Sequence, residues 1–166
     1  MLLMSKKTLV RLIIIICIVL TVVGIWIFKN KNEIDFSLQA TEIDLEELKS
    51  YNLPIIIDFG ADYCLPCLEM APILEKINKE MQGKAIIKYV DISQNPEAAG
   101  DIPVLALPTQ VFINANGKPY IPSSNLNLKF NQYRYKDTGE HAYTVHYGML
   151  TEGQLRSILA EMGVTE

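Results

Sequence analysis

The chain has 166 residues, 15 Lys and Arg against 19 Asp and Glu, a net charge of −4, and 49% hydrophobic residues. That length holds one domain of ordinary size plus an appendage. All 19 acidic residues but only 11 of the 15 basic ones lie beyond residue 29, a net −8 for that part, which excludes a nucleic-acid-binding surface of the usual lysine- and arginine-rich kind.

The hydrophobic share is concentrated at the front, where residues 12–28 read LIIIICIVLTVVGIWIF. Seventeen helical residues at ~1.5 Å each reach about 26 Å, close to the ~30 Å hydrocarbon layer of a bilayer. Lys6, Lys7 and Arg11 precede the run, while Lys29 and Lys31 follow it and are offset by Glu33 and Asp35. Basic residues favour the cytoplasmic side, so the N-terminus is expected inside and the rest outside a cell membrane crossed once. No small-x-small cleavage site follows the run, and Cys17 is preceded by isoleucines rather than by the small residues of a lipid-attachment site. An uncleaved anchor is the reading: residues 1–29 form a cytoplasmic tip and transmembrane segment, and 30–35 (NKNEID) a tether.

The domain is expected over 36–166. Residues 36–40 (FSLQA) alternate like a half-buried strand, and Asp44 is placed to cap a short helix with Leu45 and Leu48 inward. Residues 54–59 (PIIIDF) are a run of β-branched residues around one aspartate, the pattern of a central strand buried on both faces. Met70, Ile73, Leu74, Ile77 and Met81 then recur at helical spacing up to Gly83, with Pro72 expected to kink the helix. Residues 85–92 read as a second buried strand, 94–100 as a short helix or turn, and 109–113 (TQVFI) as a third strand closed by a turn at 114–117. The last helix opens on a capping box, Thr151 with Gln154, buries Leu155, Ile158, Leu159 and Met162, and stops at Gly163. Alternating strands and helices argue an α/β sandwich. Residues 128–136 and 140–147 flank the turn signal Asp137, Thr138, Gly139, which predicts an extra β-ribbon, an insertion at about 118–142.

The chemistry-bearing stretch is DFGADYCLPC at 58–67. A C-x-x-C pair can ligate metal, staple a loop or cycle between thiol and disulfide. His141 and His146 offer a superficial zinc partner, but residues five apart in a strand point to opposite faces. As a staple the pair closes too short a loop to restrain the unfolded chain much. The redox reading explains the spacing: a cysteine at a helix start meets unpaired N–H groups and the positive end of the dipole, which favour thiolate. Pro66 suits a first turn, where no N–H is required, and Cys67 sits near enough to attack a mixed disulfide at Cys64.

The segment DFGADYCLPCLEMAP, with LPT at 107–109 and HYGMLTEGQLRSIL near the end, resembles the thioredoxin family across most of 36–117 and again over the last strand and helix. The resemblance implies a thioredoxin fold, a central mixed sheet flanked by helices, and a thiol–disulfide oxidoreductase with Cys64 and Cys67 as the redox pair. It implies that Pro108 is the cis-proline facing the cysteines, and that Asp58 is the buried acid, its pKa raised by an apolar strand, that takes the proton of Cys67. Tyr63, Leu65, Pro66, Leu107 and Thr109 are implied as the substrate-binding lip.

The chain departs from the family in three places. Tyr89, not a lysine, stands opposite Asp58, with Lys88 on the other face; Tyr63 replaces the usual tryptophan; Leu65 replaces the usual glycine. Leu107 resembles reducing rather than oxidising members. The expectation is a bacterial, membrane-anchored reductase of protein disulfides, supplied with electrons by an integral membrane carrier, with no cofactor, metal or nucleic acid. The rivals are a disulfide-donating oxidase or isomerase on the same fold, and a binding module docking through ribbon tyrosines 120, 133, 135, 143 and 147, which also read as ordinary strand residues.

Overall fold

The structure, a computed structural model, describes residues 6–30 and 36–165, with the side chains of 6–10, 13 and 25–30 outside that description. The chain divides into two compact units, Met1–Ile34 and Asp35–Glu166.

The described part of the first unit is the helix α1 (Lys6–Asn30), of 25 residues, or about 37 Å at 1.5 Å per residue. The one hydroxyl of its apolar stretch is satisfied internally, Thr21 Oγ1 donating to the Ile18 carbonyl at 2.8 Å. Among the described residues no helix is long and apolar enough to cross a membrane. Most of the expected tether, 31–35, lies outside the described residues.

In the second unit six strands form one mixed sheet in the order β1-β3-β2-β4-β6-β5. Its elements are β1 (Gln39–Ala40), α2 (Leu45–Ser50), β2 (Ile55–Gly60), α3 (Leu65–Glu80), β3 (Ile86–Asp91), a 3-10 turn at Pro96–Ala99, β4 (Thr109–Ile113), β5 (Asn131–Arg134), β6 (His141–Tyr147) and α4 (Glu152–Glu161). The first three strands run parallel, whereas β4 is antiparallel to β2, β6 to β4 and β5 to β6. Every residue of β2 is buried, because alternate side chains enter two separate cores. Ile56 joins Met70, Leu74 and Ile77 of α3 and Leu155, Ile158 and Leu159 of α4; Ile55, Ile57 and Phe59 join Leu48 of α2 on the other face. Asp58, two residues from Ile56, therefore falls under α3.

The helix boundaries follow local chemistry. Asp44 caps α2 by accepting the Glu47 N–H at 3.0 Å, and Thr151 and Gln154 close the full capping box of α4. Pro72 lies inside α3 without ending it, and removes the donor that would serve the Leu68 carbonyl.

Two expectations change. Residues 36–40 enter the sheet only at Gln39–Ala40, because the backbone of Phe36 is taken by side chains at the end of α3: its N–H donates to Gln82 Oε1 and its carbonyl accepts from Asn78 Nδ2, each at 2.8 Å. The ribbon exists as β5 and β6, but β6 is the sheet's own strand, pairing Gln110 with His146 and Val111 with Val145. The insertion thus adds one edge strand, β5, turned back at Gly139, whose φ of +71 favours glycine.

Candidate active site

Strand β2 ends at Gly60 and delivers the chain through Ala61, Asp62 and Tyr63 to the start of α3. Cys64 is the N-cap, extended at φ −90 and ψ 104, and its Sγ accepts the Cys67 N–H at 3.3 Å. A sulfur in a cap position touches the helix's unpaired donors and the positive end of its dipole, both of which favour thiolate. Pro66 occupies the first turn, where its missing N–H costs nothing. Cys64 and Cys67 are joined as a disulfide with Cα atoms 5.2 Å apart. Cys64 keeps 8% exposure against 1% for Cys67, so the outer sulfur is the one an incoming molecule meets.

The peptide bond between Leu107 and Pro108 is cis, and Leu107 packs on the small cluster of Ala61, Cys64 and Cys67. Thr109 is buried, and its hydroxyl donates to the Ala106 carbonyl, tying down the loop that leads into Pro108. Tyr147 braces the same loop, its hydroxyl donating to the Pro103 carbonyl at 2.7 Å. Around the cysteines Tyr63 is 75% exposed and Leu65 65%; Leu105, two residues before Leu107, is 74% exposed. Leu105 was not singled out from sequence, since a lone leucine in a loop carries no periodic signal.

Asp58 is fully buried in the middle of β2, flanked in register by Tyr89 of β3 and Gln110 of β4. Gln110 Nε2 donates to Asp58 Oδ1 at 2.6 Å and lies 3.7 Å from Met70 Sδ, while Asp58 Oδ2 and Gln110 Oε1 have no partner. Burial pushes the Asp58 carboxyl up to about 7, with the Gln110 hydrogen bond opposing. Tyr89 stands where the family places lysine. Its phenol is pushed up to about 12, first by burial and then by the carboxylates of Asp91, Asp58 and Asp62. It also covers Gly60, where an added Cβ would come 2.7 Å from its ring. Lys88 points away, donating to the Ser37 carbonyl at 2.7 Å. Sequence reasoning missed Gln110, although a long polar side chain within an apolar central strand was the available signal.

The remaining candidates are engaged elsewhere. His146 Nδ1 pairs with the Lys129 carbonyl at 2.9 Å, and His141 Nε2 with Thr144 Oγ1 at 2.9 Å. Among the ribbon tyrosines, Tyr120 is buried with its hydroxyl on Glu161, and Tyr133 and Tyr147 pair hydroxyls at 2.7 Å. Tyr135, just past the end of β5, is 47% exposed and stacks obliquely on Tyr143 of β6 with centroids 6.4 Å apart.

A family model described as thioredoxin matches residues 37–128. Thioredoxin of Rickettsia conorii is 33% identical over 73 residues, which cover 44% of this chain and 69% of that protein. The X-ray structure of Fasciola hepatica thioredoxin is similar at 30% identity with a TM-score of 0.51, covering 75% of this chain and 95% of that one. Chloroplastic thioredoxin z shares the fold at 23% identity with a TM-score of 0.50, covering 76% and 96%.

Proposed function

Because the chain belongs to the thioredoxin family and is a thiol–disulfide oxidoreductase of that type, we propose that it reduces protein disulfides outside a bacterial cell membrane, held there by residues 12–28 and reloaded by an integral membrane electron carrier. The observation that carries the chemistry is the cap position of Cys64, its sulfur at the helix start and its partner one turn inward. The apolar run of 12–28, with Lys6, Lys7 and Arg11 before it and the acidic domain after it, supports the anchor and its orientation.

The reduced chain presents Cys64 as thiolate. It attacks one sulfur of the substrate disulfide, that bond breaks, and the first substrate thiolate leaves a mixed disulfide behind. Cys67 gives its proton to the Asp58 carboxylate, and the resulting thiolate attacks Cys64 Sγ. The mixed disulfide breaks and the second substrate thiolate leaves. The substrate has gained two electrons and takes up two protons, one by way of Asp58 and one from water; the chain is left as the Cys64–Cys67 disulfide. A carboxyl titrating at about 7 is near the operating pH, where a proton acceptor serves best. Leu107 before Pro108 offers backbone to an extended substrate, and Tyr63, Leu65 and Pro66 form the apolar lip on which it rests, whereas Thr109, buried and paired in register with Phe59 and Tyr147, supports that loop from inside the sheet.

The test is insulin reduction by the full chain in detergent, with Cys64→Ser as control, together with the potential of the cysteine pair. Reduction abolished in the control and a potential near thioredoxin's, about −270 mV, support the reading; a value toward about −120 mV makes the chain a disulfide donor instead. Activity that survives Cys64→Ser overturns the redox role.

A further inference from the structure

We propose that Gln110 is a positioning residue for proton transfer at Asp58: its carboxamide holds Oδ1 of the carboxyl and reserves Oδ2 as the atom that takes the proton of Cys67. The inference rests on the reductase reading, in which Asp58 is the acceptor. In the transfer the Cys67 S–H bond breaks, the O–H bond forms at Oδ2, and the electron pair stays on sulfur; nothing is oxidised or reduced.

Three observations place Gln110 in this role. Strand register sets it directly beside Asp58, and its amide donates to Oδ1 at 2.6 Å. The same side chain reaches Met70 Sδ at 3.7 Å. Met70 follows Cys67 by one turn on the buried face of α3, so the pair lies beneath the helix that carries the thiol. Finally, Asp58 Oδ2 and Gln110 Oε1 are both buried without partners. Oδ1 is thus the carboxyl oxygen that a neighbouring side chain holds, and Oδ2 is the one that no side-chain donor among the described residues engages.

The titratable groups facing Asp58 are few. Tyr89 on β3 carries a neutral phenol that meets the carboxylates of Asp58, Asp62 and Asp91. On α3, Cys67 stands one turn before Met70, whose sulfur the Gln110 amide reaches, and β4 supplies Gln110, which has no charge. With Tyr89 where a lysine would stand, the amide of Gln110 is the donor that stabilises the carboxylate form of Asp58.

Gln110→Met removes that donor at nearly constant volume. The first readout is the titration of the Asp58 carboxyl by carbon NMR in the oxidised full chain, which needs no substrate. The midpoint should rise by about one pH unit, roughly a tenfold tighter hold on the proton. The second is the pH profile of the second thionitrobenzoate released when the reduced chain, in a Cys17→Ala background, meets dithiobis-nitrobenzoate; that release is the attack of Cys67 on Cys64. Its midpoint should move upward by the same amount, and Gln110→Met should move nothing in an Asp58→Asn background. Gln110→Leu gives the same readouts if the methionine variant fails to fold. An Asp58 midpoint that stays put, or a variant that loses stability with its profile unmoved, overturns the proposal. A shifted midpoint in a chain that does not reduce insulin refutes the reductase reading while supporting the Gln110–Asp58 pairing.

Discussion

Replacing Asp58 by asparagine should stabilise the folded chain at alkaline pH and leave it nearly unchanged in acid. The carboxyl titrates at about 7 in the fold against 3.8 when exposed. Each unit is worth about 1.36 kcal/mol, so the difference between the two states amounts to roughly 4 kcal/mol. The folded pKa is the higher one. The native state therefore holds this proton more tightly than the unfolded state does, and the advantage is complete below about 3.8. It declines as pH rises through about 7 and is flat beyond. At pH 8 the wild-type fold carries a buried carboxylate that Asp58→Asn replaces with a neutral amide of the same shape. Wild-type and variant stabilities should thus diverge by about 4 kcal/mol between pH 4 and pH 8, or some 2 to 3 M in urea midpoint at a slope of about 1.5 kcal/mol/M. The assay is urea unfolding of the oxidised full chain in detergent, followed by near-ultraviolet circular dichroism. All eight tyrosines lie in the domain, whereas the single tryptophan is Trp26 in the N-terminal run and is the wrong probe. A stability difference that does not change with pH would refute the burial argument.

Gly60→Ala should cost about 1 to 3 kcal/mol of stability, because its Cβ would meet the Tyr89 ring at 2.7 Å and hydroxyl at 2.9 Å; adding Tyr89→Leu should restore most of the loss in the same unfolding assay. Thr151→Ala removes the capping box of α4 and should lower stability by about 1 kcal/mol, while Thr151→Ser should be close to neutral.

The third strand and the last helix were readable because their signals are local. An apolar run of TQVFI between a proline and an Asn-Gly turn leaves little choice of bounds, and the Thr151 and Gln154 pair marks a helix start by chemistry internal to four residues. Residues 54–59 likewise announced a strand buried on both faces. The strand expected at 36–40 failed in its first half for a reason no local pattern carries, since the competing partners of Phe36, Asn78 and Gln82, lie more than forty residues away. The turn at 137–139 marked a ribbon of 128–136 and 140–147, but a turn signal reports only that two strands are joined, and which of them also pairs with β4 is set by contacts distant in sequence. At the site, the cysteine pair and its helix start were legible from spacing and the flanking proline. The neighbour of Asp58 was not. Only the antiparallel register of β2 on β4 brings Gln110 alongside it, and a register slip of one residue would have put that amide on the opposite face.

The most direct measurement is the rate of Cys64 alkylation as a function of pH, read by peptide mass spectrometry in the reduced full chain with Cys67→Ser, so that modification of the exposed Cys17 is counted separately. A cap-position sulfur should react with a midpoint well below the free-cysteine value of about 8.5, at or under about 7.5. A midpoint at 8.5 or higher would mean that the start of α3 does nothing for this thiol, and would contradict the account.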